Sequence, residues 1–293
     1  MARAIMARVI AWAIWSVLWL SALSQLAFAV QPVTPGNFEL SPHRARYSMA
    51  LAKSDPGSPV LNAYGNYEIA WALQCDGWSY EQKLDLTFMR ADGTEDRWQA
   101  THAALESLDG TQYRFHTLRR LNDYPQEVYA GEAKLDSPGG VGHVTFSKPQ
   151  QLTLTLPAGT LFPRTHLAQL LKAMANHQQL FERQVFEGDF ERPVSTINAF
   201  IGRTFEAPLD APAPAKGLTW LVRLAYFNDN NAVSDGSIGH APGGGNGGFD
   251  PLYEMEFSYN ASGISHNLLI DFGEFSLSSN TVDIAPLPPP SCR

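Results

Sequence analysis

The chain has 293 residues, with 21 basic against 29 acidic side chains, a formal charge of −8 at pH 7 and only two cysteines. That balance argues against a nucleic-acid partner, which needs a basic face for phosphates. Two cysteines without a neighbouring histidine cluster cannot close a structural zinc site.

The chain opens with "MARAIMAR", which carries Arg3 and Arg8 and no acid, and continues into the apolar run "VIAWAIWSVLWLSAL". "AFA" follows, with Ala27 and Ala29 at the small-residue positions a signal peptidase reads. Residues 1–29 are therefore expected to be a cleaved signal peptide, with the mature chain, 30–293, exported to the periplasm. An uncleaved membrane anchor is the rival reading, because the apolar character continues to Val30. Loss of Arg3 and Arg8 leaves 19 basic against 29 acidic residues, a mature charge of −10. In an oxidising compartment, Cys75 and Cys292 are expected to form a disulfide.

The mature sequence reads as β throughout. Apolar and polar residues alternate in "RARYSMALAK", "AYGNYEIAWAL", "GWSYEQKLDLTFM", "EDRWQATHAAL", "TQYRFHTL", "QEVYAGEAKL" and "QLTLTL", with turns at "RADGTED" and "LDGTQ". Tyr113 and Phe115 share one face, as do Leu152, Leu154 and Leu156. One helix interrupts the strands. In "PRTHLAQLLKAMANHQQLFER", Thr165 stands as the N-cap, and Leu167, Leu170, Leu171, Met174 and Phe181 recur at helical spacing. Strands resume at "TINAFIG", "GLTWLVRLAYF", "LYEMEFSYN", "GISHNLLIDF" and "EFSLSSNTVDI", with a hairpin turn at Asn260 to Gly263. So many strands with few helices between them predict an antiparallel meander curled into a barrel or spiral, in one domain spanning 30–293. The Pro- and Ala-rich stretch 206–217 and the glycine-rich stretch 234–251 read as surface loops.

The candidate chemical motifs fall short. Gly243, Gly245 and Gly248 satisfy GxGxxG, but no helix opens after them, so no nucleotide cofactor is expected. The same run nearly matches a calcium repeat, with Asp250 one place late and a single copy. "FNDNNAVSDG" lacks EF-hand spacing. Asp92, Glu95 and Asp96 sit at a hairpin turn, where acids are usually solvated. His166 and His177 lie about 16 Å apart along the proposed helix, too far for one metal. No GxSxG or HExxH is present. No catalytic, cofactor-binding or metal-binding residue is assigned, and a non-enzymatic protein is expected.

Six segments, "SPHRARYSMAL", "CDGW", "LPAGTLFPRTH", "LAYFN", "PLYEMEFSYNASGISHNLLIDFGEFSL" and "PPPSC", together resemble the EipB family of bacterial cell envelope integrity proteins, from about Leu40 to Cys292. The resemblance implies a periplasmic, many-stranded β-spiral or open barrel, with Cys75 joined to Cys292. Its architecture would be similar to the lipoprotein carriers of the Lol system. It transfers no catalytic residue and no ligand. The expected function is support of envelope integrity, by binding an apolar ligand, a lipoprotein or a partner protein on a curved sheet. A scaffold without a lipid ligand and an envelope hydrolase are the alternatives. Four prolines, Pro286 and Pro288 to Pro290, leave the C-terminal tail few backbone donors, so the disulfide is expected to stand in for a missing ladder.

Overall fold

The computed structural model describes residues 38–228 and 251–292. The expected leader and the glycine-rich run with Gly243, Gly245, Gly248 and Asp250 lie outside them.

Period-two alternation becomes a single antiparallel meander in the first half of the chain. Its strands are β1 (His43–Ser54), β2 (Val60–Leu73), β3 (Gly77–Arg90), β4 (Glu95–Ser107), β5 (Gln112–Leu121), β6 (Tyr124–Leu135), β7 (Gly142–Lys148) and β8 (Leu152–Leu156). After the two-residue β9 (Thr160–Leu161) comes the helix α1 (Pro163–Ala175). A second meander follows: β10 (Leu180–Val185), β11 (Ser195–Glu206), β12 (Leu218–Asn228), β13 (Tyr253–Asn260), β14 (Ser265–Asp271) and β15 (Phe275–Pro286). β1 pairs with β2 on one side and β15 on the other, which merges both meanders into one 15-stranded sheet running from β8 through β1 and β15 to β9.

The two ends of that sheet, β8 and β9, are joined by residues 157–159 alone. A connection this short holds the edges together, so the sheet is curled into a nearly closed barrel with one seam between β8 and β9. Inward positions follow the sequence alternation: Tyr67, Ile69 and Trp71 on β2, Tyr113 and Phe115 on β5, Leu154 and Leu156 on β8.

The helix departs from its expected limits at both ends. Phe162, not Thr165, is the N-cap, and it has no side-chain capping bond. The cap comes from another element: buried Glu106 on β4 accepts the N–H of Arg164 at 2.7 Å, the N–H of Thr165 at 2.9 Å and the Thr165 hydroxyl at 2.5 Å. A carboxylate there satisfies orphan N–H groups and meets the positive end of the helix dipole. At the other end His177 takes the left-handed conformation, φ 55°. Its N–H bonds to Met174 O and that of Gln178 to Ala173 O, a Schellman stop. Phe181 therefore belongs to β10, and His166 and His177 share no helical face. The stripe Leu167, Leu170, Leu171 and Met174 is buried inside the barrel as expected.

The C-terminal strand runs further than its prolines suggested. Pro286 pairs with His43 and the Leu287 N–H bonds to Pro42 O, so the ladder reaches the first proline of the tail. Cys292 then joins Cys75 in the turn between β2 and β3, with Cα atoms 5.5 Å apart. Pro212 to Ala215 is also more than a loose surface loop: Ala213–Ala215 forms a 3-10 turn with Ala215 buried, and Asn260 donates to Pro214 O at 2.8 Å.

Candidate functional site: a cavity inside the barrel

Two packed regions fill most of the interior. One is built from α1 against β1, β2, β11 and β12. The other is an aromatic cluster of Tyr113, Phe115, Phe146, Phe162 and Phe186, with ring centroids 5.1 to 6.3 Å apart in the contacting pairs. Between strands and helix a cavity of about 460 Å³ remains, within the roughly 300–1,000 Å³ range of ligand pockets.

Inward-facing aromatic residues line much of it, for the same reason that they alternate in sequence. β2 and β3 contribute Tyr67, Trp71 and Tyr80, with Trp71 stacked on Tyr80 at 4.2 Å. β12 and β13 contribute Tyr226 and Tyr253, stacked at 4.5 Å. Pro163, His166, Leu167 and Leu170 of α1 form a further wall. The Tyr67 hydroxyl accepts from Gln82 at 2.8 Å, and Tyr47 donates to Ser265 O at 2.8 Å. Burial drives the tyrosines lining the cavity well above the ordinary phenol range, which keeps their hydroxyls protonated.

The residues 186–194 between β10 and β11 bring charge to this interior. Asp189 receives Arg119 of β5 at 3.1 Å and Arg192 at 3.6 Å, while Arg119 also holds Glu127 at 2.6 Å. Glu187 lines the cavity with its side chain exposed to that space rather than packed, and among the described residues no salt bridge reaches it. Loss of water pushes its carboxyl up to about 7, with help from the neighbouring charge of Asp189. Gly188 permits this path: its φ is +85°, and a Cβ there would lie 2.6 Å from the Phe115 ring.

Two histidines border the same space. His102 bonds through Nδ1 to Thr117 at 2.8 Å and through Nε2 to the Tyr113 hydroxyl at 3.0 Å. Burial, then Arg119 and His116, push it down to about 4; burial, then Arg183, do the same for His166. Both are neutral at pH 7. Neither is hydrogen-bonded to a serine or a carboxylate, so neither stands in a serine–histidine–acid relay.

The residues weighed from sequence lie elsewhere. Cys75 and Cys292 form an exposed disulfide away from the cavity lining. Asp92, Glu95 and Asp96 stay at the β3–β4 hairpin, where Asp92 accepts from Thr94 and Asp96 pairs with Arg90. Among the described residues no group of three or more His, Cys, Asp or Glu is placed to hold a metal, and no helix is long and apolar enough to cross a membrane. Glu187 escaped the sequence reading; the available signal was the acid–glycine–acid run "FEGDFER" between two strands.

These features define a class: a mainly antiparallel β-barrel with a helix packed inside it and an aromatic-lined cavity. The chain belongs to the EipB-like family, whose model matches residues 35–288. It is 27% identical over 256 residues to "Cell envelope integrity protein EipB" of Brucella abortus (strain 2308), covering 84% of each chain. Its fold is also that of a beta-barrel-like protein of a domain of unknown function from Brucella abortus, with TM-score 0.73, 22% identity, and coverage of 85% of this chain and 99% of that one.

Proposed function

We propose that this chain is a non-enzymatic periplasmic protein that supports envelope integrity by holding an apolar ligand inside its barrel. The observation that carries the reading is the cavity of about 460 Å³ between two packed regions, walled largely by aromatic and aliphatic side chains. The relative named as a cell envelope integrity protein supports the cellular role, and the leader-like residues 1–29 support export. The absence of a serine–histidine–acid relay at the cavity among the described residues favours binding over hydrolysis.

The test is to isolate the protein from its own periplasm and examine it by native mass spectrometry, with solvent extraction of the same sample. A mature chain beginning at Val30 with a bound apolar molecule is expected. Ile197→Trp, which fills the cavity from β11, should lose that molecule and fail to restore detergent resistance to cells lacking the protein. An empty wild-type cavity, together with full rescue by Ile197→Trp, would reject ligand binding as the basis of function.

A further inference from the structure

Among the described residues, the cavity lining contains one acid, Glu187, that no salt bridge reaches. Four charged groups line the cavity, Glu187 and Asp189 against Arg119 and Arg192, and Glu127 pairs with Arg119 from outside the lining. Both arginines are engaged, Arg119 between Glu127 and Asp189 and Arg192 on Asp189. Glu187 remains outside this network. Its described neighbours do not replace the missing cation, because burial holds His102 and His166 neutral at pH 7 and no lysine among the described residues lines the cavity.

The surroundings of Glu187 select the kind of cation. Its carboxyl lies within electrostatic reach of Tyr67 and Tyr80 on one wall and of Tyr226 and Tyr253 on the other. Aromatic rings around an acid attract a diffuse organic cation through their negative faces, whereas they offer few ligands to a hard metal ion. A carboxylate facing a confined, aromatic-walled cavity is less well solvated than one in bulk water, and a cation brought by a ligand offsets that loss. An anionic ligand would add to it. The mature charge of −10 acts in the same direction at long range.

From the unpaired Glu187 between two tyrosine walls, we infer that the barrel binds a ligand carrying an alkylammonium group, with the cation at Glu187 and the alkyl part against α1 and the facing strands. The inference rests on the cavity being a ligand site. At about 460 Å³ the space suits one alkyl chain with its amine, or one amine-bearing head group. The amine can come from a choline-type lipid head group or from a free alkylamine, and the two sources share this recognition chemistry.

Calorimetric titration of the wild-type protein with octyltrimethylammonium, octan-1-ol and octanoate at pH 7.5 tests it. The ammonium compound should bind at least tenfold more tightly than the alcohol, and octanoate most weakly. Glu187→Gln should bring ammonium and alcohol to within about twofold. Glu81→Gln should leave the ranking unchanged, because Glu81 is exposed on β3 between the cavity-lining Tyr80 and Gln82. The wild-type ranking stands as a test even if Glu187→Gln does not fold. Octylphosphocholine then separates the sources: binding as tight as octyltrimethylammonium assigns a lipid head group, and weaker binding assigns a free amine. Equal or tighter binding of octan-1-ol or octanoate overturns the inference while leaving the apolar-ligand reading intact. No heat from any of the compounds overturns both.

Discussion

Glu106 shows how one side chain connects sheet to helix. It sits on the inward face of β4, and its two oxygens take hydrogen bonds that a local cap would ordinarily supply to α1. Burial pushes its carboxyl up to about 7, against the pull of the Thr165 and Arg164 donors. Glu106→Ala leaves those N–H groups without acceptors inside the barrel, and should cost about 1–3 kcal/mol in denaturant melts. Glu106→Gln, which keeps one acceptor oxygen, should lose less. Equal stability of the alanine variant and wild type would show that the cap is dispensable. Gly110 belongs to the same contact: its φ is +70°, and a Cβ there would meet the Thr165 hydroxyl at 2.5 Å.

At the scale of elements, α1 and the 186–194 connection divide the work inside the barrel. The helix buries Leu170, Leu171 and Met174 against both meanders, and these three are among the most buried side chains of the molecule. Met174→Ala should therefore cost about 2–5 kcal/mol, read as a lower denaturation midpoint with an unchanged denaturant slope. The connection contributes Phe186 to the aromatic cluster and charge to the cavity, and its course depends on Gly188 lying against Phe115. Gly188→Ala should displace Glu187 and Asp189 together. The expected result is a tenfold or greater loss of ligand affinity with a smaller loss of stability than Met174→Ala causes, measured by calorimetry and melts on the same preparation. Affinity unchanged by the substitution would mean that the position of the connection is immaterial to binding.

For the whole molecule, the disulfide closes a sequence separation of 217 residues, linking the β2–β3 turn to the end of the chain across β1. The chain-entropy model sets an upper contribution of about 5 kcal/mol for such a loop. Cys75→Ser, Cys292→Ser or added reductant should lower the melting temperature by several degrees or more and leave the far-ultraviolet β signal in place, because the ladder through Pro286 survives. Melts insensitive to reductant would contradict this. The titrating interior makes a second prediction. Glu106 and Glu187, held up to about 7, contribute stability below their unfolded value near 4.5 that is lost as the pH rises to 7. His102 and His166, held down to about 4, contribute stability above 6.5 that is lost as the pH falls towards 4. The two trends oppose each other between about pH 4.5 and 6.5. Removing one carboxyl should tilt the balance, so Glu187→Gln should gain stability relative to wild type on going from pH 5 to pH 7. Parallel stability curves for the two proteins would refute the assignment.

The sequence alone determined the strand-rich class, most strand positions, the buried stripe of α1 and the two cysteines available to pair, because period-two and period-3.6 alternation and cysteine counting are local signals. It also placed Tyr113 and Phe115 on one strand face, the face the structure buries. Local signals misplaced the ends of α1: Thr165 looks like a cap, but the acceptor is Glu106, 58 and 59 residues away from the N–H groups it receives. They also extended the helix over Phe181, because a buried strand residue and a buried helix residue look alike at a single position. Only the tertiary structure decided that the sheet closes until β8 and β9 are joined by residues 157–159, leaving a cavity. Only it set Glu187 in that cavity while Asp189, two residues on, took the arginines. Those outcomes depend on which distant side chains meet, and ion pairing between β5 and the 186–194 connection leaves no periodic trace in the chain.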